Sequence, residues 1–391
     1  MTDSLQPAIR TCGRSAAGNC HARHALPAKT GRGRCWRGFQ RGTSLIELMV
    51  ALTISTLLML GLAVVFVGNS RGFSENEKAS RQIENGRYAM AILSDGVRHA
   101  GFYGEVADVT NLLLTPPITL PALVPDPCVT DIASVRAALP LPVQGVDAPD
   151  AVPSCLPDHV AGTDVLVIRR ANTTTVDTAS AVANGYYTQT SFCATQTPVF
   201  MIAQSGFTLE DKNCVDAAPI RQYHVEIYFI SPCSLPTGTN GTCKSTDAAV
   251  PTLKRLELRP AGDAACPLFA AASWCLVPLV EGIEDLQIEY GRDTSGDGSP
   301  DTYGTAPAST ADWSIVTGIR LHLLARNVDQ TNGFVDTKTY LLGKNSDGTD
   351  HSVTPGGAYK RHAYVQVVRV TNTGQRKEKP LCIAPTSDCP T

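Results

Sequence analysis

Several things that a catalytic or nucleic-acid-binding chain needs are missing from these 391 residues. There is no His-Glu-x-x-His, no Walker-type phosphate loop and no Gly-x-Gly-x-x-Gly fingerprint, which removes the usual routes to metalloprotease, nucleotide hydrolase and dehydrogenase chemistry. His159, His224, His322, His351 and His362 are scattered, and no spacing joins them to a nucleophile. The expectation is a protein that is not an enzyme. No Cys-x-x-Cys pair and no Cys/His spacing of a zinc site occurs, so the cysteines read as disulfide partners in an oxidising compartment. No internal repeat is evident, and strands do not alternate with helices, which argues against a parallel sheet. After residue 42 a basic excess is also missing: 25 Lys/Arg stand against 35 Asp/Glu, a net charge near −10. A nucleic-acid partner would want a basic face, so none is expected.

One further absence is local. From Leu48 to Val67 there are 20 residues without a charge or a proline. As a helix they measure about 30 Å, one hydrocarbon thickness. Residues 1–42 hold eight Lys/Arg and one Asp, which keeps this arm cytoplasmic by the positive-inside rule. A secretory signal peptide fits less well. The run exceeds a usual h-region, no Ala-x-Ala-like site follows Val67, and a small residue, Gly42, precedes the run instead. Just inside the apolar segment sits Glu47. A carboxylate in lipid costs roughly 2.5–3.5 kcal/mol or more, so it asks for a partner.

Polar, helix-compatible sequence continues to about Ala100, with Ala79, Ile83, Gly86, Met90, Leu93 and Val97 forming one apolar stripe. Gly86 costs about 1 kcal/mol in a helix interior and marks a bend or a close contact. A helix from Thr43 to Ala100 would be roughly 85 Å long. Residues 101–160 are dense in proline and predict extended loops with short helical pieces, such as Ile132–Leu139. Strand-like runs follow at 164–170, 223–230, 253–259, 283–290, 315–324 and 364–370. The organisation is therefore a basic leader (1–42), a long helix (43–100, its membrane part about 45–67), a Pro-rich connecting region (101–160) and an antiparallel β-sheet head (161–391). The fold class is α+β, with an antiparallel sheet packed on the long helix.

Three of the 13 cysteines lie in the leader, leaving an even ten. Their connectivity is open in the sequence. Joining nearest neighbours gives Cys128–Cys155, Cys193–Cys214, Cys233–Cys243, Cys266–Cys275 and Cys382–Cys389. Asp293, Ser295, Asp297 and Asp301 place oxygens at alternate positions of a Gly-containing loop, as a Ca²⁺ loop does. The twelfth residue is Gly304 rather than Glu, and strands flank the loop, so a polar turn built on Asp-Gly is the other reading.

Gly42, Thr43 and Glu47 resemble the class III signal of type IV prepilins: basic leader, Gly, the new N-terminus, then Glu five residues into an apolar run. Thr43 stands where that family usually carries Phe. The resemblance implies cleavage between Gly42 and Thr43 by prepilin peptidase, N-methylation of Thr43, and pairing of Glu47 with the terminal amine of a neighbouring subunit. It also implies a disulfide-closed C-terminal loop, Cys382–Cys389. Glu84–Met90, Ala100–Gly104, Gly162–Ile168, Val280–Gly291 and Trp313–Arg326 are similar to passages of PilW-type minor pilins, in the wider PulJ/PilW-like prepilin family. That similarity implies a type IV pilin-like fold and a minor pilin that begins in the inner membrane with a periplasmic head. It would finish at the pilus tip on the cell surface, priming assembly with other minor pilins and the major pilin. Its partners would include a PilY-type adhesin and an inner-membrane assembly platform, and its outputs adhesion and twitching motility. A J-type minor pseudopilin of type II secretion and a membrane-anchored ligand-binding protein are the alternatives.

Overall fold

The computed structural model describes residues 42, 44–106, 108–110, 118–147, 152–266, 268–271 and 273–374. The leader before Gly42, Thr43 and the Cys382–Cys389 pair lie outside the described residues. The chain divides into two units, Met1–Val65 and Phe66–Thr391, and helix α1 (Leu45–His99) has residues in both.

In the first unit α1 begins where the Leu48 amide reaches the Ser44 carbonyl at 3.1 Å. From Leu45 to Val65 every side chain is exposed. Among the described residues this is the one helix long and apolar enough to cross a membrane. Its two threonines turn their hydroxyls back onto the helix, Thr53 Oγ1 to Val50 O and Thr56 Oγ1 to Thr53 O, both 2.9 Å. With those donors satisfied internally, the segment presents apolar surface in every direction, as a lipid-facing helix must.

In the second unit α1 buries Gln82, Gly86, Ala89, Met90, Leu93, Ser94, Gly96 and Val97. The seam lies slightly to one side of the stripe expected from sequence: Ile83 is 43 % exposed, and Gln82 takes the inward position. Gln82 earns that place by donating Nε2 to Ala325 O (2.8 Å) and Lys360 O (3.0 Å), so its polar end is satisfied on burial. Gly86 marks a close contact. A Cβ there would stand 2.2 Å from the Tyr364 ring.

The head holds two principal antiparallel sheets where one was expected. The larger contains β1 (Val143–Val146), β2 (Val165–Ala171), β5 (Ile220–Ser231), β6 (Thr252–Leu258), β8 (Trp274–Glu281) and β7 (Phe269–Ala271), in the spatial order 1-2-5-6-8-7. The hairpin β3 (Tyr187–Thr190) with β4 (Phe200–Ala203) joins it along the start of β5. The smaller sheet is β10 (Thr302–Gly304), β9 (Ile283–Arg292), β11 (Val316–Arg326) and β14 (Arg361–Arg369), in that order. A separate hairpin pairs β12 (Tyr340–Lys344) with β13 (Asp350–Val353).

Strand periodicity decides the packing. In β2, Leu166 and Ile168 join one core while Val165 and Val167 join another. In β5, Tyr228 and Ile230 face the first core, and Tyr223, Val225, Ile227 and Phe229 the second. The first core takes in Ala89, Met90, Leu93 and Val97 of α1, together with Leu286, Ile288 and Tyr290 of β9 and Ile319, Leu321 and Leu323 of β11. Thus α1 is packed against both sheets. The second core covers the far face of the larger sheet with Tyr103, Val109, Ile118, Val135 and Leu139. The Pro-rich stretch therefore packs as part of the head. Helix α2 (Ile132–Ala137) of that stretch is capped by Asp131, which accepts from the Ser134 amide at 2.8 Å.

The chain passes from the larger sheet to the smaller at a single residue. Gly282, with φ +77°, lies between β8 and β9, and a Cβ there would meet Arg326 O at 2.6 Å. Pro278 is tolerated within β8 because it sits beside a register shift opposite Leu253 and Lys254. Among the described residues, four disulfides staple the insertions, Cys128–Cys155, Cys193–Cys214, Cys233–Cys243 and Cys266–Cys275, each joining nearest neighbours.

Candidate functional site

Glu47 occupies the first turn of α1, with its side chain exposed among exposed Leu45, Ile46, Leu48 and Met49. Among the described residues no hydrogen bond or ion pair engages its carboxylate. Such a group is tolerable in water and costly in lipid unless a cation is paired with it. A protonated amine has the charge and the size to do so. Gly42, described and exposed, stands five residues before Glu47.

The loop after β9 is built around two carboxylates that cap its own backbone. Asp293, buried, accepts through Oδ1 from the amides of Gly296 (2.7 Å) and Asp297 (3.2 Å) and from Ser295 Oγ (3.3 Å). Its Oδ2 accepts from the Gly298 amide at 3.0 Å. Asp301 Oδ2 accepts from the amides of Thr294 (2.7 Å) and Ser295 (2.8 Å) and from the Thr294 hydroxyl (2.8 Å). Those bonds hold the Asp301 carboxyl below its ordinary range, the Ser295 amide contributing most. Asp297 Oδ1 takes the Ser299 amide at 2.8 Å. The oxygens singled out by their spacing thus point at loop amides and hydroxyls. Among the described residues, the one set of three His, Cys, Asp or Glu groups with ligand atoms within 4.8 Å of one another is Cys193, Glu210 and Cys214. Its two sulfurs are already joined to each other.

The five histidines stay apart. His322 Nε2 meets Glu289 Oε2 at 2.9 Å on the outer face of the smaller sheet, where Arg320 Nη1 also reaches that oxygen at 3.0 Å. His351, on β13, approaches Asp285 at 3.8 Å, and that carboxylate raises its pKa. His159 bonds the Thr163 hydroxyl (3.0 Å), and His362 stacks edge-on against Tyr364. His224 is driven down to about 4 by burial, with Arg170 adding to the effect. No thiol nucleophile stands beside them, since every described cysteine is in a disulfide. Gly68-Asn69-Ser70-Arg71-Gly72 spells a Gly-x-Ser-x-Gly sequence, but it lies inside α1 and has no strand-to-helix elbow to expose its serine.

Sequence reasoning missed one cluster of charges. Arg361, at the start of β14, meets Glu284 Oε2 through Nε (2.5 Å), Asp336 Oδ2 through Nη1 (3.0 Å) and Gly356 O through Nη1 (2.7 Å). Nearby, Glu75 of α1 accepts from Lys78 (3.0 Å), Lys360 (2.8 Å) and Thr331 (2.8 Å). These contacts bring Glu75 down to about 2, the bond from Lys360 being the largest cause. They tie α1 to the loops on either side of β12 and β13. Thr331 and Lys360 lie 256 and 285 residues from Glu75, so only a few charged side chains in polar loops marked them in the sequence.

Comparison with known families agrees with both ends of this picture. Residues 237–372, which span β6 to β14, match the family described as type IV pilus-assembly protein W. Residues 37–63, which include Gly42 and Glu47, match the prokaryotic N-terminal methylation motif. A search of the curated proteins found no match. The domains matched are structural parts of a pilus, and together with the apolar helix at the start and the disulfide-stapled antiparallel sheets they support a PilW-type pilin.

Proposed function

We propose that this minor pilin enters the filament at its tip, where it primes assembly with other minor pilins and helps present a PilY-type adhesin. The coarser role is that of a type IV pilus minor pilin, anchored in the inner membrane by its apolar helix and later incorporated in the pilus. The observation that carries the finer reading is Glu47: a carboxylate unpartnered among the described residues, in an apolar helix exposed from Leu45 to Val65. Prepilin peptidase cuts between Gly42 and Thr43 and methylates the new amine. That amine on one subunit then neutralises Glu47 on the next, which makes entry into the filament favourable. The head of about 290 residues after the helix is too bulky to repeat along a thin filament and suits an end position.

Deletion of the gene, scored for surface pili and twitching, is the test. Loss of both, restored by the wild-type chain, is expected. A secretion defect with normal motility would instead assign the chain to a type II secretion pseudopilus. Gly42→Asp supplies the companion measurement: the uncleaved precursor runs as a slower band, and normal processing would remove the cleavage site from this account.

A further inference from the structure

Lys254, on β6 in the larger sheet, is fully buried, a place where an ammonium is rare unless paired. Among the described residues no carboxylate forms an ion pair with it, and the acceptor its Nζ meets is the sulfur of Cys233, at 4.0 Å. Burial lowers its pKa to about 8, with Asp158 and Asp247 opposing from farther away, so at pH 7 it is still an ammonium. The two ends of the Cys233–Cys243 bridge differ. Cys233 is buried, whereas Cys243 is half-buried, with its amide bonded to the Asp158 carboxylate and Ser231 Oγ 3.5 Å from its sulfur. Among the described residues the other three bridges have no cation at sulfur. Cys128 Sγ accepts from the Cys155 amide (3.0 Å), and Cys266 Sγ lies against Leu268 O (3.1 Å). Cys193 Sγ meets the Thr195 hydroxyl (3.3 Å), with a Glu210 carboxylate oxygen within 4.8 Å, an anion that would oppose a thiolate there.

We propose that Cys233–Cys243 is a thiol–disulfide exchange site, opened at Cys243 by a dithiol protein of the periplasm, with Lys254 holding the departing Cys233 sulfur. A cation beside a sulfur favours its thiolate, and the sulfur that ionises more readily leaves faster. The geometry divides the two roles accordingly: the half-buried sulfur is the one to be attacked, and the buried one, against Lys254, is the one to leave. A thiolate of the partner attacks Cys243 Sγ and forms a mixed disulfide with it. The Cys233–Cys243 bond breaks, and its electron pair stays on Cys233. The partner's second thiol then attacks the partner sulfur of the mixed disulfide and releases Cys243. The partner's dithiol is thereby oxidised to a disulfide, the bridge is reduced to two thiols, and the two protons of the dithiol pass to them. A protein is the fitting reductant because the periplasm is kept oxidising by proteins rather than by a thiol buffer.

The test equilibrates the detergent-solubilised full chain with graded glutathione buffers, caps free thiols and maps them by mass spectrometry. In the wild type Cys233–Cys243 should open before the other three described bridges, with the glutathione adduct on Cys243. Another bridge opening first, or an adduct on Cys233, overturns the proposal. Lys254→Met keeps the length and removes the charge. It should shift this bridge toward the disulfide by about 10-fold, about 30 mV, and leave the other three unchanged. An unshifted equilibrium overturns the proposal. A methionine that merely packs better could also hold the bridge closed, so a second measurement separates charge from packing. In Cys243→Ser, where Cys233 is a free thiol, the ultraviolet absorbance of its thiolate should appear about one pH unit lower than in Cys243→Ser/Lys254→Met. Equal titrations would reject the role given to Lys254. A reduced thioredoxin-type protein should open the bridge about 10-fold faster than dithiothreitol at equal thiol concentration, and equal or slower opening would reject the protein partner.

Discussion

Gly86 shows how one missing carbon positions a helix. The residue costs about 1 kcal/mol in propensity, and in return the Tyr364 ring reaches the helix backbone. Gly86→Ala should recover that propensity and lose more to overpacking, about 1–3 kcal/mol, because the ring is held between α1 and His362. A lowered Tm of the detergent-solubilised chain is expected, with part of the loss recovered in the Gly86→Ala/Tyr364→Leu pair, since the two sites share one space. His224 sets a pH limit on the same scale. Its folded pKa of about 4 lies below the unfolded value near 6.5, so between these two the unfolded chain binds more protons. Stability is full above pH 6.5 and falls as pH drops toward 4, by a ceiling of about 3 kcal/mol. His224→Gln should flatten the Tm-against-pH curve across that window, and an unchanged slope would remove His224 as its cause.

Among the elements, the 293–301 loop and the disulfide insertions invite measurement. Asp293 accepts four bonds from its own loop, so Asp293→Ala should leave the buried Gly298 amide unpaired and cost about 1–3 kcal/mol. With its carboxylates already turned onto amides, the loop is read as a self-capped turn, and millimolar Ca²⁺ should leave the Tm unchanged. A Tm that climbs with Ca²⁺ would give the loop to the cation instead. The Cys193–Cys214 bond closes a separation of 21 residues, for which chain-entropy arguments give about 3 kcal/mol. Cys193→Ser/Cys214→Ser should lower the Tm accordingly and loosen β3 and β4 first, since that insertion meets the larger sheet along only the first residues of β5. Proteolysis nicking elsewhere first would count against this order.

At the scale of the molecule, the proposed assembly turns on Glu47. Glu47→Ala should be inserted and processed normally, because the apolar run and Gly42 are intact, yet should not enter sheared pili. Incorporation equal to wild type would end the account of pairing in trans. Much of this level was legible in the chain. The apolar run, the acid inside it and the strand patterns of β2, β5, β6, β9, β11 and β14 all follow from periodicity and burial energy, which act locally, whereas β8 was missed. Among the described residues, four nearest-neighbour cysteine pairs are joined, because each insertion is a short excursion that returns close to its start. The division into two sheets was not legible. It depends on the positive φ of Gly282 and on the close approach of Arg326 O, a contact 44 residues away that leaves no local pattern. Short strands such as β3, β4 and β10 were likewise missed, being three or four residues each and given their conformation by partners rather than by propensity.

By itself, then, the amino-acid order determined where the chain meets lipid, that a lone acid sits in that apolar run, and that the head is antiparallel. Hydrophobic length and residue period are local quantities, readable without coordinates. Only the tertiary structure decided that α1 packs against both sheets with Gln82 rather than Ile83 inward, that the Asp293 carboxylate faces amides, and that β14 is the last described strand of its sheet. Each of these depends on which distant groups share a few ångströms, and no window of sequence contains that distance.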